Sequence, residues 1–201
     1  MQHYFIEKEH NKSDYFDFTD EILGFNINFK SVDNVFSKNK IDDGTRVLLN
    51  TVAKQMQLSG DVLDFGCGLG TISIVLKKLY PNINMHACDI NSVAVELTKQ
   101  NAKQNKIELK SVVKSNIYDN IDKKFDFIVT NPPIKVGKKI LFEIVKQSFE
   151  HLNVGGKIVL VIRKSHGQES LKTYMNSLFN NVEILKRDKG YYIMASEKKG
   201  D

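Results

Sequence analysis

Two short segments hold residue types at spacings that chemistry can use. The first is Asp64-Phe65-Gly66-Cys67-Gly68-Leu69-Gly70-Thr71, which follows the apolar residues Val62 and Leu63. Gly66, Gly68 and Gly70 lack a Cβ, so a ligand can lie against the main chain where it turns into a helix N-terminus. The spacing Gly-x-Gly-x-Gly, with Thr71 following, departs from the Gly-x-Gly-x-x-Gly that sets a pyrophosphate on a helix dipole, which disfavours a dehydrogenase. Asp64 has the wrong charge for a phosphate and the right one for an ammonium or sulfonium group. Asp89 ends the next strand-like run, 84–89, where a carboxylate can accept from both ribose hydroxyls. Together these residues point to a nucleoside-bearing cofactor.

The second segment, Asn131-Pro132-Pro133, closes the run Phe125-Asp126-Phe127-Ile128-Val129-Thr130. Pro132 lacks an N–H and holds Asn131 extended, so the Asn side chain projects stiffly from the strand's carboxyl end toward the ligand crevice. The Asn131 side-chain oxygen and the Pro132 carbonyl make a pair of acceptors. An exocyclic amine, whose lone pair is delocalised into its ring, can give both hydrogens to such a pair and become pyramidal enough to attack. No general base is needed during that attack.

On these residues the chain resembles the class I S-adenosylmethionine-dependent methyltransferases, whose first motif reads Asp/Glu-x-Gly-x-Gly-x-Gly. The resemblance runs from about residue 35 to the C-terminus. It implies S-adenosylmethionine as cofactor, no metal, and N-methyl transfer. It also implies that Asp64, Gly66, Gly68 and Gly70 surround the methionine part and that Asp89 holds the ribose. Asn116 falls where relatives usually have an acid for the adenine amine; its amide oxygen can still accept. Phe36, Ser37 and Asp42 lie in the segment that, in amino-methylating relatives, covers the cofactor and walls the target pocket.

The run Asn131-Pro132-Pro133-Ile134-Lys135-Val136-Gly137-Lys138-Lys139 is similar to single-domain bacterial relatives of the small-subunit ribosomal RNA guanine-N2 methyltransferases. So are His3-Tyr4-Phe5, Val35-Phe36-Ser37-Lys38 and Asp188-Lys189-Gly190-Tyr191-Tyr192-Ile193. Ile134 replaces the aromatic residue that adenine- and glutamine-modifying members place after Pro-Pro. The resemblance implies methylation of a guanine 2-amino group in ribosomal RNA or a small-subunit assembly state. Asn131 and Pro132 are the expected catalytic residues, and Asn131, like Phe36 and Ser37, is also expected to touch the cofactor. Asn131, Ile134, Lys135, Lys138, Lys139, Arg163 and Lys164, with His166, are the expected substrate contacts, the cations meeting phosphates. An adenine 6-amino group, a protein glutamine amide and a catalytically silent RNA-binding or ribosome-binding module remain open alternatives.

The elements that must position these residues follow from periodicity. Strands and helices alternate from Val62 onward, the pattern of an open parallel sheet with helices on both faces. With the resemblance, this predicts an α/β, Rossmann-like, seven-stranded, mostly parallel sheet ending in an antiparallel hairpin. Helices are expected near 45–55, 71–80, 92–105 (capped by Ser92), 139–152 and 168–178. Strands are expected near 109–114 and 157–162, the latter after a Gly155-Gly156 turn, and near 182–186 and 191–195. Residues 25–30 alternate as a half-buried strand does, so residues 1–34 are expected to form a small β extension over one end of the sheet. Residues 35–201 would then form the catalytic domain.

The 201 residues and 41% hydrophobic content suit one compact core. Net charge +5 and a pI near 9.0 fit an anionic partner; abundant Lys, Asn and Ile also fit A+T-rich coding. No run approaches a membrane span, and the start lacks a secretory pattern, so a cytoplasmic location is expected. Cys67 and Cys88 read as small buried residues with no metal spacing.

Overall fold

The computed structural model describes residues 14–32, 40–133 and 137–200. Phe36, Ser37, Ile134 and Lys135 therefore lie outside the described residues. A hairpin comes first, pairing β1 (Tyr15–Ile22) with β2 (Phe25–Val32). Its turn needs positive φ twice, which Leu23 (53°) and Gly24 (78°) supply. The chain continues through α1 (Asp43–Gln55), β3 (Asp61–Phe65), α2 (Thr71–Leu79), β4 (Asn84–Asp89), α3 (Ser92–Gln104), β5 (Ser111–Lys114) and β6 (Phe125–Thr130). It ends with α4 (Gly137–Glu150), β7 (Leu152–Arg163), a 3-10 turn at Lys164–His166, α5 (Gln168–Phe179), β8 (Glu183–Asp188) and β9 (Tyr191–Glu197).

The strands after the hairpin form one seven-stranded sheet of order β5-β4-β3-β6-β7-β9-β8. It is parallel from β5 to β7, and β9 runs antiparallel to both β7 and β8, as expected. Successive strand residues face opposite sides. Val62, Val129, Val159 and Val161 pack with Leu48, Ile72 and Leu97 of α1 to α3; Leu63, Ile128, Ile158 and Leu160 pack with Leu141, Ile144, Leu171 and Met175 of α4 and α5. Each such side chain contributes ~1.5–3 kcal/mol by leaving water. Burial on both faces is why residues 158–162 read as an unbroken apolar run. Strand order reverses at β3, with β4 and β5 on one side and β6 on the other. The crevice beyond the carboxyl ends at such a reversal is where open α/β sheets bind ligands.

Three local expectations change. Asn91, not Ser92, caps α3, its side chain accepting from Val93 N at 2.9 Å; a cap needs non-helical backbone, and Asp89 Oδ1 holds Asn91 N at 2.9 Å ahead of the helix. Strand β5 starts at Ser111, while Leu109 packs on the core instead. The Gly155-Gly156 turn lies inside β7, next to a register shift against β6. There a Cβ on Gly156 would stand 2.9 Å from Phe125 O, so glycine permits the strands to approach. The β1–β2 hairpin, the expected N-terminal β extension, forms a two-stranded sheet of its own and docks on α3. Asn105 Oδ1 and Asn101 Oδ1 accept from Asn28 N and Lys30 N at 3.0 and 2.7 Å, so α3 satisfies the open edge of β2.

Candidate active site

Where β3 ends, Gly66 and Gly68 take φ of 75° and 55°. A Cβ at either would meet nothing within 4 Å, so both border open space. Gly66 N and Cys67 N donate to Cys88 O at 2.9 and 3.0 Å, tying the loop to β4. Gly70 is needed for a different reason. It caps α2 at φ 81°, and a Cβ there would stand 3.0 Å from Thr98 Cγ2 and 3.3 Å from Thr98 Cα, so it lets α2 start against α3. On its Cβ side Gly70 faces Thr98, not open space.

Asp64 lies beneath this loop with 0% exposure. Its Oδ2 accepts from Ser73 N at 3.0 Å and Ser73 Oγ at 2.6 Å, anchoring the first turn of α2. Oδ1 has no partner. Burial, with the nearby Asp89 charge adding to it, pushes the Asp64 carboxyl up to about 7 against the lowering by Ser73. The partnerless oxygen is the atom left for a cationic ligand group. Ser73 was invisible to motif reading, although a serine within an otherwise apolar helical stretch marks the position.

Asp89 closes β4 and takes Gly68 N at 3.0 Å on Oδ2 and Asn91 N at 2.9 Å on Oδ1. Burial raises its pKa, and the N–H groups of Asn91, Gly68 and Ile90 oppose that rise. The glycine loop and the second acid are thus one hydrogen-bonded unit. Asn116 follows β5 and is exposed; its Nδ2 donates to Asp119 Oδ2 at 3.0 Å, which leaves Oδ1 as the outward acceptor. Next to it Ile117 stands at φ 53°, a conformation that costs a β-branched residue ~1–3 kcal/mol and concentrates at ligand sites. Both cysteines are buried, and burial raises both thiols.

Asn131 is half-buried at the carboxyl end of β6, followed by buried Pro132 and exposed Pro133. Its Nδ2 donates to Asp42 Oδ1 at 3.1 Å and Thr45 Oγ1 at 2.9 Å. The same Asp42 oxygen caps α1, accepting from Thr45 N at 3.1 Å. A carboxylate accepts and cannot donate, so the amide has one orientation: NH2 toward α1, Oδ1 away from it. The motif supplied the asparagine, and tertiary docking supplied the lock.

Asn131, Pro132 and Pro133 share a pocket with Lys138, Leu141, Arg163, His166 and Tyr191, among others. Of the expected substrate contacts described, Lys138, Arg163 and His166 join Asn131 there, while Lys139 and Lys164 are exposed and outside that lining. Tyr191 had no assigned role in the sequence. It is 8% exposed, and its ring is admitted by Gly44, where a Cβ would stand 2.9 Å from Tyr191 Cε1.

S-adenosylmethionine fits the residues present. Gly66 and Gly68 border open space, Asp64 Oδ1 lacks a partner, Asp89 sits on the loop, and Asn116 is exposed with its Nδ2 engaged by Asp119, along the carboxyl ends of β3, β4 and β5. Among the described residues no group of His, Cys, Asp and Glu is arranged to hold a metal ion, and no helix is long and apolar enough to cross a membrane.

Comparison with known proteins agrees with this geometry. A family model described as methyltransferase small domain matches residues 26–195. The chain is 35% identical over 199 residues to the uncharacterized protein YbxB of Bacillus subtilis, covering 98% of each. It is 33% identical over 178 residues to ribosomal RNA small subunit methyltransferase C of Photorhabdus laumondii, covering 87% of this chain and 51% of that protein. The Serratia proteamaculans protein of that name is 36% identical over 139 residues, 67% of this chain and 39% of that one. The chain therefore spans about half the length, or less, of these two methyltransferases. Among solved structures, a T. thermophilus 16S rRNA N2 methyltransferase in complex with AdoMet and guanosine superposes with a TM-score of 0.82 at 24% identity, over 92% of this chain and 51% of that one. With its fold, its glycine loop and acids, and a family match over most of its length, the chain belongs to the methyltransferase small domain family and is a class I S-adenosylmethionine-dependent methyltransferase.

Proposed function

We propose that this protein methylates the exocyclic 2-amino group of a guanine in ribosomal RNA, with small-subunit RNA, naked or partly assembled, as the substrate class. The observation that carries the reading is the locked Asn131 amide, whose Oδ1 is turned away from Asp42 and Thr45 at the carboxyl end of β6. The names of the 33–36% identical relatives support RNA as the target.

S-adenosylmethionine brings an electrophilic methyl group; the rest falls to this chain. Gly66 and Gly68 admit the cofactor to the backbone, Asp89 holds its ribose, and Asn116 meets its adenine amine. Asn131 Oδ1 and the Pro132 carbonyl take the two hydrogens of the target amine, so its lone pair points at the methyl carbon. Bound there, S-adenosylmethionine would supply the methyl group to that lone pair, and the amine's surplus proton would leave to water. Positioning of this kind is worth up to ~7–11 kcal/mol.

The test is single-turnover transfer of labelled methyl groups to small-subunit rRNA, ribosomal subunits, DNA and release factor, with wild type and Asn131→Ala. Wild type should label guanine in RNA. The variant should keep cofactor affinity and lose about 10²–10³ in rate, the usual effect of removing one preorganised polar group. Label in adenine or glutamine, or RNA binding without transfer to any substrate, would overturn the reading.

A further inference from the structure

The target pocket is lined by two kinds of polar group. Asn131 and Pro132 bring acceptors, and Arg163 brings donors. The Arg163 guanidinium lies over the Tyr191 ring, 4.8 Å from its centroid, and Arg163 Nη2 donates to Tyr191 Oη at 2.7 Å. Tyr191 is 8% exposed and packs against Gly44, where a Cβ would stand 2.9 Å from its ring. So Arg163, although exposed and at a strand end, is held by both the face and the hydroxyl of a buried ring. One of its five N–H donors is used on Tyr191, and the phenol keeps its own proton to donate. Leu141 and Val161 add apolar surface to the same lining.

A ligand that meets Asn131 and Arg163 with different edges offers an amine on one and acceptors on the other. Guanine does so, with its 2-amino group on one edge and O6 and N7 on the other, the pair that arginine binds bidentately. Adenine does not. Its amine and N7 share one edge, so placing the amine at Asn131 leaves only N3 on the far side.

We propose that Arg163, clamped by Tyr191, is the base-reading residue, taking O6 and N7 of guanine while the 2-amino group meets Asn131. The proposal rests on the guanine reading above and moves Arg163 from phosphate contact to base selection.

The experiment pairs a protein change with a base change. Transcripts of small-subunit rRNA are made with GTP or with 7-deaza-GTP, which lacks the N7 acceptor, and single-turnover transfer is measured with wild type, Arg163→Gln and Tyr191→Phe. Effects of the analogue on RNA folding are common to all three enzymes and cancel in the comparison. Wild type should be about 5- to 150-fold slower on the 7-deaza transcript, the range for one bidentate contact. Arg163→Gln should be equally slow on both transcripts, and at least as slow as wild type is on the analogue. Tyr191→Phe, which keeps the ring and frees the guanidinium, should lose part of the discrimination and guards against a misfolded arginine variant. The proposal is overturned alone if guanine is labelled but Arg163→Gln keeps the full 7-deaza penalty, or if it changes only the salt dependence of RNA binding, as a phosphate contact would. Wild-type label on another base, or none, overturns the guanine reading and this proposal with it.

Discussion

Asn131 and Asp89 were legible as single residues because strand ends and proline restriction are local properties. The partners that orient Asn131 were not, since Asp42 and Thr45 are 89 and 86 positions away and meet it only when α1 docks beside β6. Asp42 was expected at the pocket wall, but as a lining residue; its use as helix cap and amide lock together comes from the fold. This makes Thr45 testable apart from the cap, whose bond uses the Thr45 backbone N–H. Thr45→Val keeps the cap and the shape and removes one acceptor of the Asn131 amide. Its single-turnover rate should fall about 5- to 10-fold, the worth of one hydrogen bond of ~1–1.5 kcal/mol. Cofactor affinity should hold, and Thr45→Ser should recover the rate. A valine variant as fast as wild type would remove the lock from catalysis.

At the scale of elements, alternation revealed the β1–β2 hairpin and the terminal β8–β9 pair, while docking partners stayed hidden. The hairpin's attachment depends on α3, where Asn101 and Asn105 are one turn apart and face the same way. Asn101 is the busier, with Nδ2 donating to Lys30 O at 3.0 Å and Leu69 O at 2.9 Å, and Oδ1 accepting from Lys30 N at 2.7 Å. It joins the hairpin to the glycine loop. Replacing it by alanine leaves those backbone groups without their partner inside the protein, each at a cost of ~1–3 kcal/mol when water cannot reach it. We expect Asn101→Ala to lower stability by about 2–4 kcal/mol in denaturant melts and to weaken S-adenosylhomocysteine binding in calorimetry. Lost stability with unchanged affinity would confine Asn101 to a structural role. Motif spacing did not distinguish Gly70 from Gly66 and Gly68, because the contact with Thr98 that sets it apart is between two helices.

For the whole molecule, fold class was legible because the sheet is buried on both faces and its strands read as apolar runs; the Arg163–Tyr191 wall was not, because β7 and β9 pair across 28 positions. Stability should carry the signature of one buried acid. Asp64 titrates near 7 in the fold, above its ordinary 3.8, so the folded state holds a proton that the unfolded chain has released between those values. Its contribution is present in full below about 4, declines as pH rises, and is lost above about 7. The melting temperature of wild type relative to Asp64→Asn should therefore drop across that window and level off above it. A pH-independent difference would show that Asp64 titrates normally.

One carboxylate, Asp42, both starts α1 and orients the Asn131 amide. Under the mechanism proposed above, turnover is tied to the fraying equilibrium of a single helical turn: the observed rate is the intrinsic rate multiplied by the fraction of molecules in which that turn is formed. Helix ends open well before a domain melts. Mild heat or low denaturant will thus lower the population of competent molecules while the sheet and both cores stay intact, and activity will peak below the melting temperature with no chemical damage to any residue in the pocket.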